Sequence, residues 1–385
     1  MSAPAAGGAD EVARLALVHL PGLGPARGRW LLGGGAPADE VLARLRRGQL
    51  PPDVGPAPAG VSPDLVDRWR HALAGFDAEE RWRAHRAAGL ELLTPSHPDW
   101  PFAEDPEPPM VLWACGRLEL LRPAPAVALV GSRRCSQIGR RVAHRLGLEL
   151  AEAGVVVVSG LAWGIDAAAH TGALAPAGPA SALAVVGTGA DVVYPASSAA
   201  LWREVGRRGL VVGEAPLGVG AQRWRFPARN RLVAALVRVV VVVESHAAGG
   251  ALHTVTEAER RQVSVLAVPG SVLSPASAGS NQLLADGAGV ARDAADVLAA
   301  LSIESASRPV PSTPGSGPCD ADEASVLAEV SAGPVALADL LPGRALGEVA
   351  VVVERLLVAG EVELRAGLVT LSGSTDAAGA GRSGR

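Results

Sequence analysis

The chain has 385 residues, 35 basic against 39 acidic for a formal net charge of −4, and at 49% apolar and 19% charged it carries enough apolar surface for a buried core, which excludes wholesale disorder. No apolar run approaches the roughly 18 residues of a membrane span, and the first residues, MSAPAAGGADEVARL, lack a basic stretch followed by an apolar one, so a cytoplasmic protein without membrane contact is expected. Cys115, Cys135 and Cys319 are too scattered for a disulfide framework or a C-x-x-C knuckle, and no metal or other cofactor is expected.

Apolar residues at three-to-four spacing in EVARLALVHL, DEVLARLRR and PDLVDRWRHAL predict a helical N-terminal domain over 1–92. Between the first two, LPGLGPARGRWLL (20–32) places two glycines around one apolar residue at a helix start. Such a turn either points backbone N–H groups outward, like a helix-hairpin-helix phosphate-binding element, or simply joins two bundle helices. Residues 93–124, dense in Pro, Asp and Trp, predict a structured connector.

Over 125–301 the pattern changes to short β-branched runs alternating with amphipathic stretches: VALV (127–130), VVVV (155–158), ALAVV (182–186), LVV (210–212), RVVVVV (238–243) and VSVLAV (263–268). Continuous apolar strands separated by helices predict an α/β, Rossmann-like doubly wound and mostly parallel sheet, with ligand-binding loops at the strands' C-terminal ends. Residues 302–320 predict a Ser/Pro/Gly linker. Over 321–372, three short helical patterns and two strands around Ala366-Gly367 predict a winged helix, and 373–385 a disordered tail. The acids Glu348, Glu354, Glu361 and Glu363 suit a protein partner for the winged helix better than a nucleic acid.

Every basic residue is Arg, a bias typical of GC-rich coding, so the placement of the arginines carries more information than their number. Residues 131–148 hold five arginines and no carboxylate, as do residues 215–243. Such runs are either solvated helix faces or local positive potential for nucleic acid. The first strand ends in Gly131-Ser132-Arg133 before a helix, a geometry suited to a phosphate, yet it is not G-x-G-x-x-G, and no ribose-binding acid ends the second strand, which argues against a dehydrogenase. Ser159 lacks the glycine of a hydrolase elbow two places before it, and Asp166, four residues before His170, suits the first turn of a helix better than a catalytic pair. Arg223, Trp224, Arg225, Phe226, Arg229, Asn230 and Arg231 interleave cations with rings at the sheet rim, where arginines can neutralise phosphates while rings stack on bases. His246 and His253 lack the spacing of metal ligands.

Taken together, VALVGSRRCSQIGRRVAHRL, VVVVSGLAWGIDAAAH, ALAVVGTGADVVYP, GEAPLG, FPARNRLVAAL, VVVVESHAAGGALHT, VLAVPG and GSNQLL resemble the DNA-processing protein A (DprA/Smf) family in order and spacing, over about 170 residues. The resemblance implies a non-enzymatic homodimer that binds single-stranded DNA without sequence preference, protects it and helps load the RecA recombinase in natural transformation or recombination. Carried over residue by residue, it implies DNA-binding roles for Gly131, Ser132 and Arg133; for Ser159, Gly160, Gly164 and Asp166; for Phe226, Pro227, Arg229, Asn230 and Arg231, beside Arg223 and Arg225; for Gly249, Gly250 and Thr254; and for Ser280 and Asn281. Trp163 stands where the family commonly has Arg, and Ala196 and Ser198 stand where it commonly has a basic residue and Asn. An alternative of another class rests on Gly249-Gly250, Thr254 and Glu257, which loosely resemble the loop of Rossmann-like nucleoside-monophosphate phosphoribohydrolases, although Leu252 and His253 break its spacing. A nucleotide-sensing module without turnover is a third reading.

Overall fold

Strands that are apolar on both faces need cover on both sides, and helices supply it. The computed structural model describes residues 8–122, 124–175, 181–307, 321–337, 339–344, 346–358, 361–365 and 368–371. Cys319, the 308–320 part of the expected linker, the Ala366-Gly367 turn and the expected tail lie outside these residues.

Five helices come first: α1 (Ala9–Val18), α2 (Pro25–Leu32), α3 (Ala38–Arg46), α4 (Pro63–Ala74) and α5 (Ala78–Ala87). Their apolar stripes meet at Leu17, Leu31, Val41, Leu45, Leu65 and Trp69. The Ser62 hydroxyl accepts from the Leu65 N–H at 3.3 Å to start α4, and the Asp77 carboxylate accepts from the Glu80 N–H at 2.9 Å to start α5.

The sheet domain follows as β1 (Glu91–Leu93), β2 (Leu112–Gly116), β3 (Ala126–Gly131), α6 (Gln137–Glu152), β4 (Val156–Ser159), α7 (Ile165–Ala173), β5 (Ala182–Gly189), α8 (Ala199–Arg208), β6 (Leu210–Ala215), α9 (Arg225–Ala235), β7 (Val239–Glu244), α10 (Leu252–Arg260), β8 (Ser264–Ala267), α11 (Ala278–Ala285), β9 (Gly289–Val290) and α12 (Ala294–Ser307). The strand order is β1-β2-β6-β5-β4-β3-β7-β8-β9. From β6 to β9 the pairing is parallel, while β2 runs antiparallel to β6 and β1 antiparallel to β2. All six apolar runs are strands, β3 to β8. The connector and the residues just before it add β1 and β2, which the sequence pattern did not mark as strands, and α12 runs to Ser307, into the stretch expected as linker.

Alternate residues divide between two cores. Val127, Leu129, Val157, Val239 and Val241 pack with Leu146 of α6, Ile165 of α7 and Val297 of α12. Ala128, Val130, Val158, Val240 and Val242 pack with Leu232 of α9 and Val255 of α10. The chain lays β4, β5 and β6 on one side of β3 and then crosses to β7 on the other, so the switch point where such sheets bind ligands lies between the ends of β3 and β7. The helical domain docks on the antiparallel edge. His85 of α5 stacks on Trp113 of β2 with centroids 3.9 Å apart, Nδ1 donating to the Arg81 carbonyl and Nε2 accepting from the Leu217 N–H at 3.1 Å.

The C-terminal unit contains α13 (Ala321–Ser331), β10 (Val335–Ala336), α14 (Leu346–Val358), β11 (Val362–Arg365) and β12 (Leu368–Leu371), with sheet order β10-β12-β11 around Val326, Val330, Val353, Val362 and Val369. Two helices rather than three occur among its described residues. Where the second helical pattern falls, Leu341 and Gly343 have φ of 50° and 96°, which a right-handed helix does not accept. The unit meets the sheet domain where Gly347 packs on the Ala153 carbonyl and Arg238 lies 3.6 Å from Glu354.

Helices α6 and α7, which carry two of the rim loops, approach through glycines: a Cβ on Gly172 would overlap the His144 carbonyl, and one on Gly147 the Ala169 carbonyl. Gly172→Ala is therefore expected to cost about 1–3 kcal/mol by overpacking. Thermal melts followed by circular dichroism check this, and an unchanged midpoint would show that the helices can part without cost.

Candidate nucleic-acid interface

At the switch point, the Ser132 N–H donates to the Glu244 carbonyl at 2.7 Å, joining the loop after β3 to the end of β7. The Glu244 carboxylate, 3% exposed, turns to the first turn of α6, where it accepts from the Ser136 N–H at 3.0 and 3.1 Å and from the Ser136 hydroxyl at 2.9 Å. That hydroxyl accepts in turn from the Gly139 N–H at 2.9 Å, and any Cβ at Gly139 would overlap the carboxylate. The positive end of α6, expected from Gly131-Ser132-Arg133 to suit a phosphate, is thus filled by the protein's own anion. The loop's side chains remain at the surface, with Arg133 exposed.

The next loop is fixed against this one. Gly164 has φ of 80° and lies so close to the Ser132 carbonyl that no side chain fits, and the Ile165 N–H donates to the same carbonyl at 3.3 Å. Beneath it sits a buried polar cluster. Asp166 accepts from the Gly160 and Ala162 N–H groups at 3.2 and 3.4 Å; burial raises its pKa above the usual carboxylate range, opposed by Arg229 and by these two donors. Arg229 lies under Gly160 and donates to the Val185 carbonyl, its pKa brought down to about 10 by burial, against the attraction of Asp166. Burial likewise brings His170 down to about 4. The Ser159 hydroxyl, fully buried, donates to the Leu129 carbonyl at 2.6 Å. These groups shape the loop from inside.

Outside, cations and rings alternate. The Arg133 guanidinium lies 5.3 Å from the Phe226 ring centre, Phe226 is 5.2 Å from Tyr194, and Arg225 lies 4.5 Å over Trp224. Trp163 is 55% exposed, with its indole N–H donating to the Ser197 hydroxyl at 2.8 Å; Trp224 and Tyr194 are 46% and 43% exposed. Ser197, between Ala196 and Ser198, is thus the residue that steadies the tryptophan.

The basic segment does not present one face. Arg225 to Arg231 lie within α9, where residues two apart point about 200° from each other. Arg223 is exposed before the helix, Arg229 turns inward, and Arg231 is buried in an ion pair with Glu214, on the side facing the helical domain. Asn230 is half-buried. Of the remaining expected residues, Gly249 and Gly250 line the turn after β7, whereas Thr254 and Ser280 are buried. Asn281 staples the loop after β8, accepting from the Gly270 N–H at 3.0 Å and donating to its carbonyl at 3.1 Å.

The 20–24 turn is held from inside by the Trp69 indole, which donates to the Pro21 carbonyl at 2.9 Å, and Gly24 packs on the Trp224 ring. Glu257, central to the hydrolase alternative, accepts from Arg260 at 3.2 Å and from Arg261 at 2.7 Å, and faces the cleft beside the helical domain. Among the described residues, no group of three or more His, Cys, Asp or Glu could hold a metal ion, and no helix is long and apolar enough to cross a membrane.

Removing the internal anion has a defined cost. Glu244→Ala leaves the Ser136 donors and the end of α6 unsatisfied and is expected to lose about 1–3 kcal/mol, with Glu244→Gln losing less. Urea titration checks the order, and an alanine variant as stable as the parent would show that the carboxylate does not support the helix.

The sequence model of the family described as DNA recombination-mediator protein A matches residues 91–302. The chain is 38% identical over 370 residues to a DNA processing protein DprA of Mycobacterium tuberculosis, covering 84% of this chain and 91% of that one. It is 40% identical over 210 residues to the DNA processing protein DprA of Streptococcus pneumoniae, covering 54% and 73%. The X-ray structure of DprA from Streptococcus pneumoniae superposes with a TM-score of 0.62 at 31% identity, covering 76% of this chain and 97% of that one. These likenesses identify the chain as a member of the DNA recombination-mediator protein A (DprA/Smf) family.

Proposed function

We propose that this protein binds single-stranded DNA without sequence preference along the exposed rim, protects it and passes it to the RecA recombinase, acting as a homodimer. The observation that carries the reading is the alternation of rings with guanidinium groups: exposed Trp163, Arg133 beside half-buried Phe226 and exposed Tyr194, and Arg225 beside exposed Trp224. Every base has a face that can stack on such rings, and only a single strand leaves those faces available, while arginines neutralise the backbone whatever its sequence. Glu244 at the end of α6 supports the same reading from the other side, since a carboxylate there repels the pyrophosphate that a Rossmann enzyme would seat. The family's description as a recombination mediator supports RecA as the recipient.

Anisotropy titrations with oligo(dT), oligo(dA) and a mixed sequence at two salt concentrations test the binding. Arg133→Gln is expected to weaken all three alike and to flatten the dependence of log K on log salt by about 0.7 for the lost phosphate contact. Trp163→Ala is expected to lose about 1–3 kcal/mol of binding for one lost stack. Parent-like binding by both variants, folded by circular dichroism, would falsify the rim as the site. A chain ending at Ser307 keeps every rim residue and is expected to bind as the parent does. Loss of binding by that folded, shorter chain would assign part of the site to the C-terminal unit.

A further inference from the structure

A cleft of about 740 Å3 separates the helical domain from the sheet, walled by residues 18–29 on one side and 216–231 on the other, with Glu107 and Glu257 also facing it. Arg133, Trp163 and Phe226 lie outside it, whereas Trp224 and Arg225 line it, so the cleft adjoins the rim and shares those two residues with it.

Two guanidinium groups meet in this cleft with hydrogen-bonding capacity unused. The Arg231 side chain is 5% exposed and paired through Nη2 with Glu214, while its Nε and Nη1 have no partner. Arg29 of α2 forms an ion pair with Glu107 through Nη2 at 3.2 Å, and its Nη1 is buried without a hydrogen-bond partner. Burial lowers the Arg29 pKa first and the nearby charge of Arg231 second, with Glu107 and Glu214 opposing. Buried donors without acceptors are rare in folded proteins, and a concave site with several of them suits an anion with several acceptor oxygens.

The surrounding charge agrees. Arg27, Arg29, Arg225 and Arg231 line the cleft against Glu107 and Glu257, four cations to two anions, and Glu257 is already held by Arg260 and Arg261. His19, which also lines it, is neutral at pH 7 because burial brings it down to about 4. Trp224, 46% exposed and packed on Gly24, adds a planar apolar wall.

The geometry points to a nucleotide-phosphate site in this cleft, the phosphate oxygens taking the unused donors of Arg29 and Arg231 and the base lying against Trp224. The phosphate monoester belongs either to a free nucleotide or to the 5′ end of a DNA strand.

Calorimetric titration of the full chain with dAMP and with deoxyadenosine tests the site. dAMP is expected to bind at least tenfold more tightly than deoxyadenosine, and Arg29→Gln and Trp224→Ala each to weaken dAMP at least tenfold with the melting temperature unchanged. Arg29 is the chosen cation because Arg231 is packed into α9, and Arg29→Lys, which keeps the charge but not the fork, is expected to fall between. Arg133→Gln is expected to leave dAMP binding untouched, so failure at the rim and failure here are told apart. Absence of dAMP binding, or dAMP binding indifferent to Arg29→Gln, overturns the proposal. Displacement of dAMP by a 5′-phosphorylated oligonucleotide but not by its 5′-hydroxyl form identifies the strand end as the source, and displacement by neither identifies a free nucleotide. Displacement by both alike overturns the monoester assignment.

Discussion

One carboxylate sets the terms for the binding face. Glu244 sits at the point where the sheet changes direction, and through the Ser136 N–H and hydroxyl it ties the last residue of β7 to the first turn of α6. The Ser132 loop is held to the same residue's carbonyl, and Gly164 and Ile165 are held to the Ser132 carbonyl in turn, so three strand ends share one anchor. A Rossmann fold ordinarily leaves the positive end of this helix for a ligand. Here the field is satisfied from within, and the protein's contact with anions moves outward to side chains that can follow a flexible backbone.

The same division between inner support and outer contact runs through the arginines. Arg229 is enclosed with Asp166 and pays for its desolvation with an interior carbonyl and a nearby carboxylate, whereas Arg133 and Arg225 lie over aromatic rings. A guanidinium over a ring keeps part of its donor edge for phosphate, and a guanidinium inside the domain does not. Substitutions at the two kinds of position therefore act through different physics, one through the shape of the loops and the other through contact.

Much of this was legible from the sequence where burial is symmetric. The six β-branched runs announce themselves because both faces of each strand are covered, and the amphipathic spacing of α1, α3 and α4 is equally plain. Strands β1 and β2 escape because they are short antiparallel strands at one side of the sheet, set among prolines and acids. The segment from Arg223 to Arg231 shows which residue types meet at the rim, but not that helical winding sends Arg229 inward and Arg231 toward another domain. Glu244 stands in the chain as the last letter of a valine strand, and only the fold brings it to Ser136, 108 residues earlier.

The two ends of the sheet bear on how copies of the chain can associate. At one end lies β1, of three residues, and at the other β9, of two. A strand of that length offers too few unpaired backbone groups to template a partner strand, and so the sheet cannot readily continue from one molecule into the next. Self-association in this architecture falls to helix faces and loop side chains, whose pairing is specified by shape and charge rather than by a repeating backbone ladder. Contact made that way does not propagate by adding strand to strand across the sheet.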